Sequence, residues 1–192
     1  MASNGIEIAY ETCGAPGGRP LLLVVGLGAQ MLAWHPELYA ALVAEDFFVV
    51  RYDNRDVGLS THLHHAQPPN LDAAMAGDFS SAAYRLEDMA DDAVGLLDAL
   101  GLDQAHVVGV SLGGMIAQTM AIRHPGRVRS LTGRGTRGHR AGRWRNLLRL
   151  GEKDSANSAI VHGGAPGLIS QRLAAAVGAT PSNGWFEPVL VA

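Results

Sequence analysis

The 192-residue sequence holds one cysteine, Cys13, and few charged residues. A single cysteine excludes an internal disulfide and favours a reducing compartment. Charged side chains make up 17% of the chain, below the ~25% of typical soluble domains, but an apolar fraction of 47% is ample for a globular core. No apolar run approaches the ~20 residues of a transmembrane helix, and the start, MASNGIEIAY, lacks the charged and apolar parts of a signal peptide. We therefore expect a cytoplasmic protein without a membrane span.

Acidic and basic residues are distributed unevenly along the chain. Residues 1–125 contain 15 acidic and 5 basic side chains, whereas residues 126–192 contain 3 and 10. Eight of the arginines lie in one acid-free run that begins at Arg127. Such a change in composition usually marks a boundary. We divide the chain into a core, 1–132, and an atypical basic segment, 133–192, that closes only part of the core.

Apolar runs that resemble buried strands alternate with stretches of helical periodicity. Glycines and prolines punctuate them, and residues 60–80 resemble a long loop. Strands alternating with helices at these lengths predict βαβ units and a parallel sheet, hence an α/β fold. The predicted strands are 5–14, 20–28, 47–58, 105–110 and 127–132, and the predicted helices are 35–46, 84–101 and 111–124.

The helix predicted over 84–101 has the clearest pattern. Its apolar residues recur at helical spacing, and the pattern predicts that its acids lie on the other faces. Gly101 is a suitable C-terminal stop. The apolar positions are Met89, Ala93, Leu96, Leu97 and Leu100.

A serine stands between glycines where the strand 105–110 meets the following helix. Residues 109–113, GVSLG, match the G-x-S-x-G pattern of a nucleophile elbow, in which a sharp turn exposes the serine hydroxyl. The helix N-terminus behind Ser111 favours developing negative charge. The alternative is that Ser111 merely caps the helix. The strand, turn and helix context favours a catalytic nucleophile.

Acyl transfer also requires hydrogen-bond donors for an oxyanion. The backbone amide of Leu112, directly after the serine, is one candidate. The loop VVGLGAQ after the strand 20–28 is placed to supply the second, and Leu27 is our prediction. The alternative is that the glycines of this loop only turn the chain.

The chain from about residue 5 to residue 132 resembles the α/β-hydrolase family, and within it the esterase-like serine hydrolases. The resemblance is carried by GLG after the first buried strand, by RYDNRDVGLS at 51–60, by the serine motif and by RHPGRVRSLT. It implies an α/β-hydrolase fold, hydrolysis of carboxylic esters or related acyl bonds through an acyl-enzyme, and no metal or organic cofactor. It also implies that Asp53 and Arg55 brace the turn beside the site rather than act as acid and base.

The residues after Ser111 depart from the family pattern. A serine nucleophile needs a histidine base and an acid that orients it, and in this fold they follow the serine as acid, then histidine. The segment AIVHGGAPGLI resembles the strand that leads to the acid, but Pro166 stands where the aspartate belongs. We assign His162 as the candidate base, with His139 as the alternative, and we expect a shortened fold with a reduced or missing cap. His124 matches a surface residue of the family.

The alternatives to an ester hydrolase are a catalytically incomplete α/β-hydrolase remnant and a binding protein. The arginine run could attract nucleic acid or an anionic membrane, but few aromatic residues are available for base stacking, so we expect no nucleic-acid partner. The histidines of HLHH lack acids or cysteines at ligand spacing, so we expect no metal. A shortened sheet leaves an apolar edge, which would allow a homo-oligomer whose second chain supplies the base.

Overall fold

The computed structural model describes residues 2–134, 160–161 and 190–191. The strands are β1 Ala2–Ser3, β2 Ile6–Glu7, β3 Tyr10–Cys13, β4 Arg19–Val24, β5 Phe47–Tyr52, β6 Ala105–Val110, β7 Val128–Arg134, β8 Ile160–Val161 and β9 Leu190–Val191. The helices are α1 Pro36–Ala44, α2 Leu71–Met75, α3 Leu86–Ala99 and α4 Leu112–Arg123, and single 3₁₀ turns span Met31–Ala33 and Pro125–Arg127.

The central sheet has five strands in the order β3-β5-β4-β6-β7. The four strands β5, β4, β6 and β7 are parallel, which confirms the predicted parallel sheet. The edge strand β3 pairs antiparallel with β5. The expected single strand over 5–14 is instead two strands that belong to different sheets: β2 folds back on β1 across the turn at Asn4 and Gly5, whereas β3 joins the central sheet.

Helices cover both faces of the sheet, as expected for a doubly covered parallel sheet. Along β4, Leu22 and Val24 pack in the cluster with α3 and α4, whereas Leu21 and Leu23 pack in the cluster with α1. All four side chains are completely buried. The continuous apolar run of β4 therefore reflects burial on two faces, and Val24 ends the strand at the edge where the site lies.

The helix α3 packs as predicted except for one acid. Met89, Ala93 and Leu96 are buried among the predicted apolar positions, and Leu100 packs against the same cluster. Asp92, however, is 1% exposed, so the prediction that the acids lie on the other faces was wrong for this residue. The reason is Arg55, whose guanidinium pairs with the Asp92 carboxylate inside the protein.

Two further expectations differ from the structure in detail. The region 60–80 contains the short helix α2, which Asn70 caps by accepting a hydrogen bond from the Ala73 amide. The strand β7 extends to Arg134, two residues beyond its predicted end. The predicted segment 133–192 and the expected change in the cap fall almost wholly outside the described residues, so the boundary at 132 stays a prediction.

Within the described residues, no helix has the length and apolar character required to cross a membrane.

Candidate active site

Ser111 lies in a strained turn between β6 and α4. Its backbone angles, φ 55° and ψ −121°, lie in a region that non-glycine residues rarely adopt. The residue is exposed, and its side chain makes no capping hydrogen bond to α4 in the described chain. The capping alternative therefore does not explain this serine, whereas strain of this kind often occurs at functional residues.

The two glycines of the motif allow the strand and the helix to approach closely. A Cβ atom on Gly109 would lie 2.4 Å from the Gly113 carbonyl oxygen, and one on Gly113 would lie 2.1 Å from the Val24 carbonyl oxygen. Both distances are far inside van der Waals contact. The first turn of α4 is thus packed directly against the backbone of β6 and β4.

The loop after β4 lies beside the serine. The parallel register pairs Val24 with Gly109, so two residues further on Gly26 is next to Ser111. A Cβ atom on Gly26 would be 3.3 Å from the Ser111 Cβ. The neighbouring Leu27 side chain is 83% exposed. Among the described residues, neither the Leu27 nor the Leu112 amide takes part in a loop, turn or cap hydrogen bond, which leaves both available to a ligand.

The buried carboxylate of Asp53 holds the loops around the serine in place. Its Oδ1 accepts a hydrogen bond of 2.7 Å from the Met31 amide, and its Oδ2 accepts one of 3.1 Å from the Leu59 amide. Because Met31 follows the loop after β4 and Leu59 follows β5, Asp53 ties two loops to one point. These contacts fit the bracing role that the family resemblance implies.

Arg55 ties the turn after β5 to α3. Its Nε and Nη2 each donate to the Asp92 carboxylate at 2.7 Å. Burial lowers the pKa of Arg55, but the hydrogen bond and the charge of Asp92 outweigh it and raise that pKa, so the guanidinium stays charged. The Asn4 amide also donates to Asp92, at 3.2 Å, which leaves the buried carboxylate well satisfied.

An open cleft of about 420 Å³ lies against the elbow. The loop residues Leu27 and Gly26 line one side of it, and Leu112, next to the serine, lines another. The remaining lining comes from the turn after β5 and from the start of α3. These residues are Gly28, Asn54, Arg55, Asp56, Val57, Tyr84, Arg85, Leu86 and Met89.

The structure places two of the chain's histidines away from this cleft. His124 caps the C-terminal end of α4, about 20 Å along the helix axis from Ser111, and its Nε2 shares a hydrogen bond of 2.7 Å with Asp91. His106 lies at the start of β6, where its Nδ1 shares a 2.7 Å hydrogen bond with Ser130. Burial, together with Arg129 and Arg19, lowers the pKa of His106 to about 4. Neither histidine is placed to act on Ser111.

The candidate base His162 and its alternative His139 lie outside the described residues. So do Pro166 and the acids that follow Ser111 in the sequence. The assignment of His162 therefore stays a prediction, while Ser111, Leu27 and Leu112 are brought together at one edge of the sheet.

Within the described ranges, no group of three or more histidine, cysteine or acidic side chains is placed to hold a metal ion. His62 and His64 of the HLHH stretch stack with ring centroids 5.4 Å apart. His62 Nε2 lies 3.0 Å from the Gly58 carbonyl oxygen, so one of its nitrogens is engaged by the backbone.

Sequence reasoning missed the contribution of α3 to the site. Leu86 and Met89 are three residues apart on α3; the predicted apolar face includes Met89 but not Leu86, and no part in the site was predicted for either residue. The N-terminal end of the face extends past the core to the cleft. The sequence could have indicated this contribution, because Leu86 is an apolar residue at the very start of α3 and no earlier turn of the helix covers it.

Comparison with known proteins agrees with this geometry. A family model described as the alpha/beta hydrolase fold matches residues 19–159. The rhodomycin D methylesterase of Streptomyces peucetius is 37% identical over 132 residues, which are 69% of this chain and 40% of that protein. A protein of Caulobacter segnis described as a candidate carbamate hydrolase is 38% identical over 126 residues, 65% of this chain and 41% of its own.

A solved structure shares the same fold. The enol-lactonase from Burkholderia xenovorans LB400 superposes with a TM-score of 0.54 at 29% identity, over 67% of this chain and 43% of its own. The present chain spans about 40% of the length of the two curated relatives. The extent of the family match, together with the elbow and the sheet order, shows that the chain belongs to the α/β-hydrolase family.

Proposed function

We propose that the protein is a serine hydrolase that cleaves carboxylic esters or related acyl bonds through an acyl-enzyme on Ser111. The observation that carries the proposal is the strained, exposed turn at Ser111, whose hydroxyl is not used to cap α4. The relatives named as a methylesterase and as a candidate carbamate hydrolase support the same class of reaction.

In the proposed reaction the Ser111 Oγ attacks the carbonyl carbon of the ester. The serine proton passes to a base, which delivers it to the departing alcohol as the bond between the carbonyl carbon and the alcohol oxygen breaks. The amides of Leu27 and Leu112 stabilise the oxyanion of the tetrahedral intermediate. Water then attacks the acyl-enzyme carbonyl and gives a proton to the base, and the base returns that proton to the Ser111 Oγ as the bond between the carbonyl carbon and Oγ breaks, which releases the carboxylic acid and restores the serine.

The base of this reaction is His162 in our proposal, with His139 or a histidine of a second chain as the alternatives. If the base is distant or absent, the oxyanion donors and substrate binding still support slow turnover. The protein is accordingly proposed to act on a small-molecule substrate, in the cytoplasm, without a nucleic-acid partner.

Replacing Ser111 with alanine should lower the hydrolysis of p-nitrophenyl butyrate by at least about a hundredfold, or about 2.7 kcal/mol of barrier. The reason is that the acyl-enzyme cannot form without the hydroxyl. The measurement is stopped-flow release of p-nitrophenol, in which the unmodified protein gives an initial burst and Ser111→Ala gives none.

The matched control is Ser80→Ala, which removes an exposed serine hydroxyl from a loop and should leave the burst unchanged. Equal hydrolysis by Ser111→Ala and the unmodified protein would contradict the proposal and favour the catalytically incomplete alternative.

A further inference from the structure

The start of α3 supplies an apolar wall to the cleft beside Ser111. Leu86 is the first residue of the helix, and Met89 lies one turn further on. Both line the cleft together with Leu27 and Leu112. Leu112 directly follows Ser111 in the sequence, and Leu27 follows Gly26, which lies beside Ser111 in space. Four apolar residues therefore line the cleft beside the elbow, and the lining reaches Leu112, the residue directly after Ser111, but does not include Ser111 itself.

Two of the three charged side chains that line the same cleft are already paired within the protein. The Arg55 guanidinium is neutralised by two hydrogen bonds to Asp92. The Asp56 carboxylate accepts a 2.6 Å hydrogen bond from the Leu63 amide and another from the Tyr84 hydroxyl. Burial is the main cause that raises the pKa of Tyr84, and the hydrogen bond to Asp56 raises it further. Arg85, the other cation of the lining, is exposed, so water screens its charge.

The uncharged polar side chain of the lining other than Tyr84 is occupied as well. The Asn54 side-chain amide donates to the Val25 carbonyl oxygen at 3.2 Å. A polar substrate would thus find few free partners on the described walls, and a charged one would lose water without a compensating contact. An apolar chain, in contrast, would bury surface against Leu86, Met89 and Leu112.

We propose that this wall makes the protein selective for neutral esters with an extended apolar acyl chain, and that Leu86 and Met89 are the specificity-determining residues. The inference rests on the proposed function, since it assigns the substrate class of the same Ser111 site. It places the acyl chain along the N-terminal end of α3, with the carbonyl carbon at the serine. The class excludes small polar substrates such as carbamates.

The test is a series of p-nitrophenyl esters from acetate to hexanoate. A fully buried methylene is equivalent to about a fourfold gain in kcat/KM, and in an open cleft that buries about half of each methylene the gain is about twofold. Hexanoate carries four more methylenes than acetate, so kcat/KM should rise about 16-fold. A flat series, or a decline with length, would overturn the inference.

A variant pair separates the wall from general effects on the helices. Leu86→Gln should reduce the ratio of kcat/KM with hexanoate to kcat/KM with acetate at least about threefold, because it replaces an apolar side chain of the cleft lining with a polar one. Leu71→Gln, also at the first residue of a helix but exposed and away from the cleft, should leave the ratio unchanged. An equal loss of the ratio in both variants would contradict the assignment of Leu86.

An acid-ended ester of the same length tests the charge argument. The adipate monoester should react more slowly than the hexanoate. A faster reaction would show that attraction to the exposed charge of Arg85, and not apolar contact, sets the substrate selectivity, and this would overturn the inference. A burst that depends on Ser111 but shows no preference for length would leave the proposed function standing and reject only the substrate class. Absence of the burst would reject both.

Discussion

Replacing Gly113 with alanine is expected to destabilise the fold by at least about 3 kcal/mol, the upper end of the overpacking range. The new Cβ would lie 2.1 Å from the Val24 carbonyl oxygen and 2.5 Å from that of Val25. Both are backbone atoms of β4 and its end, so no flexible side chain can move aside. The intrinsic gain of alanine over glycine within a helix, about 1 kcal/mol, is too small to offset this overlap.

The measurement is the free energy of unfolding from urea denaturation, with the midpoint and the slope compared between variants. Gly126→Ala is the matched control, because a Cβ at that glycine meets nothing within 4 Å of it, and its effect should stay within about 0.5 kcal/mol. Equal stability of Gly113→Ala and Gly126→Ala would show that α4 does not pack on β4 as closely as described.

Replacing Asp92 with alanine should cost about 3–5 kcal/mol, the loss typical of removing one partner from a buried ion pair. Arg55 is 7% exposed and would be left with its charge uncompensated. The Asn4 side chain, which also donates to Asp92, would lose this partner too. We expect the turn after β5 to detach from α3, and the cleft beside Ser111 to lose one wall.

Asp98→Ala is the control for this prediction. Asp98 also lies on α3 and also pairs with an arginine, Arg127, at 2.6 Å, but its side chain is 61% exposed. Exposed pairs contribute less than about 1 kcal/mol. Urea unfolding of the two variants should therefore differ by at least about 2 kcal/mol, and a similar loss in both would contradict the assigned role of the Arg55–Asp92 pair.

The sequence predicts well those parts of the fold whose signal is local. The strands β4 and β6 are mostly apolar because both of their faces are buried, and the glycines around Ser111 stand at a spacing that only a tight strand-to-helix turn requires. The sheet and the elbow could therefore be derived without coordinates. The same holds for the neighbourhood of Leu27, since the carboxyl ends of adjacent parallel strands meet at one edge of the sheet.

The parts that could not be predicted depend on contacts between distant residues. Asp92 resembles any exposed acid of a helix until Arg55, 37 positions earlier, is placed beside it. The two hydrogen bonds that Asp53 accepts likewise come from loops that the sequence does not show to be adjacent. The wall formed by Leu86 was missed because periodicity shows which residues share a face but not where that face extends beyond the core.

The central claim is that Ser111 is an activated nucleophile, and labelling by a serine-directed fluorophosphonate tests it most directly. The folded protein should gain one covalent adduct, and mass spectrometry of its peptides should place that adduct on Ser111. Ser111→Ala should remain unlabelled, while Ser80→Ala should be labelled as fully as the unmodified protein. Failure of the well-folded protein to react would contradict the claim, because it would show that the elbow keeps its geometry without the chemistry of a hydrolase.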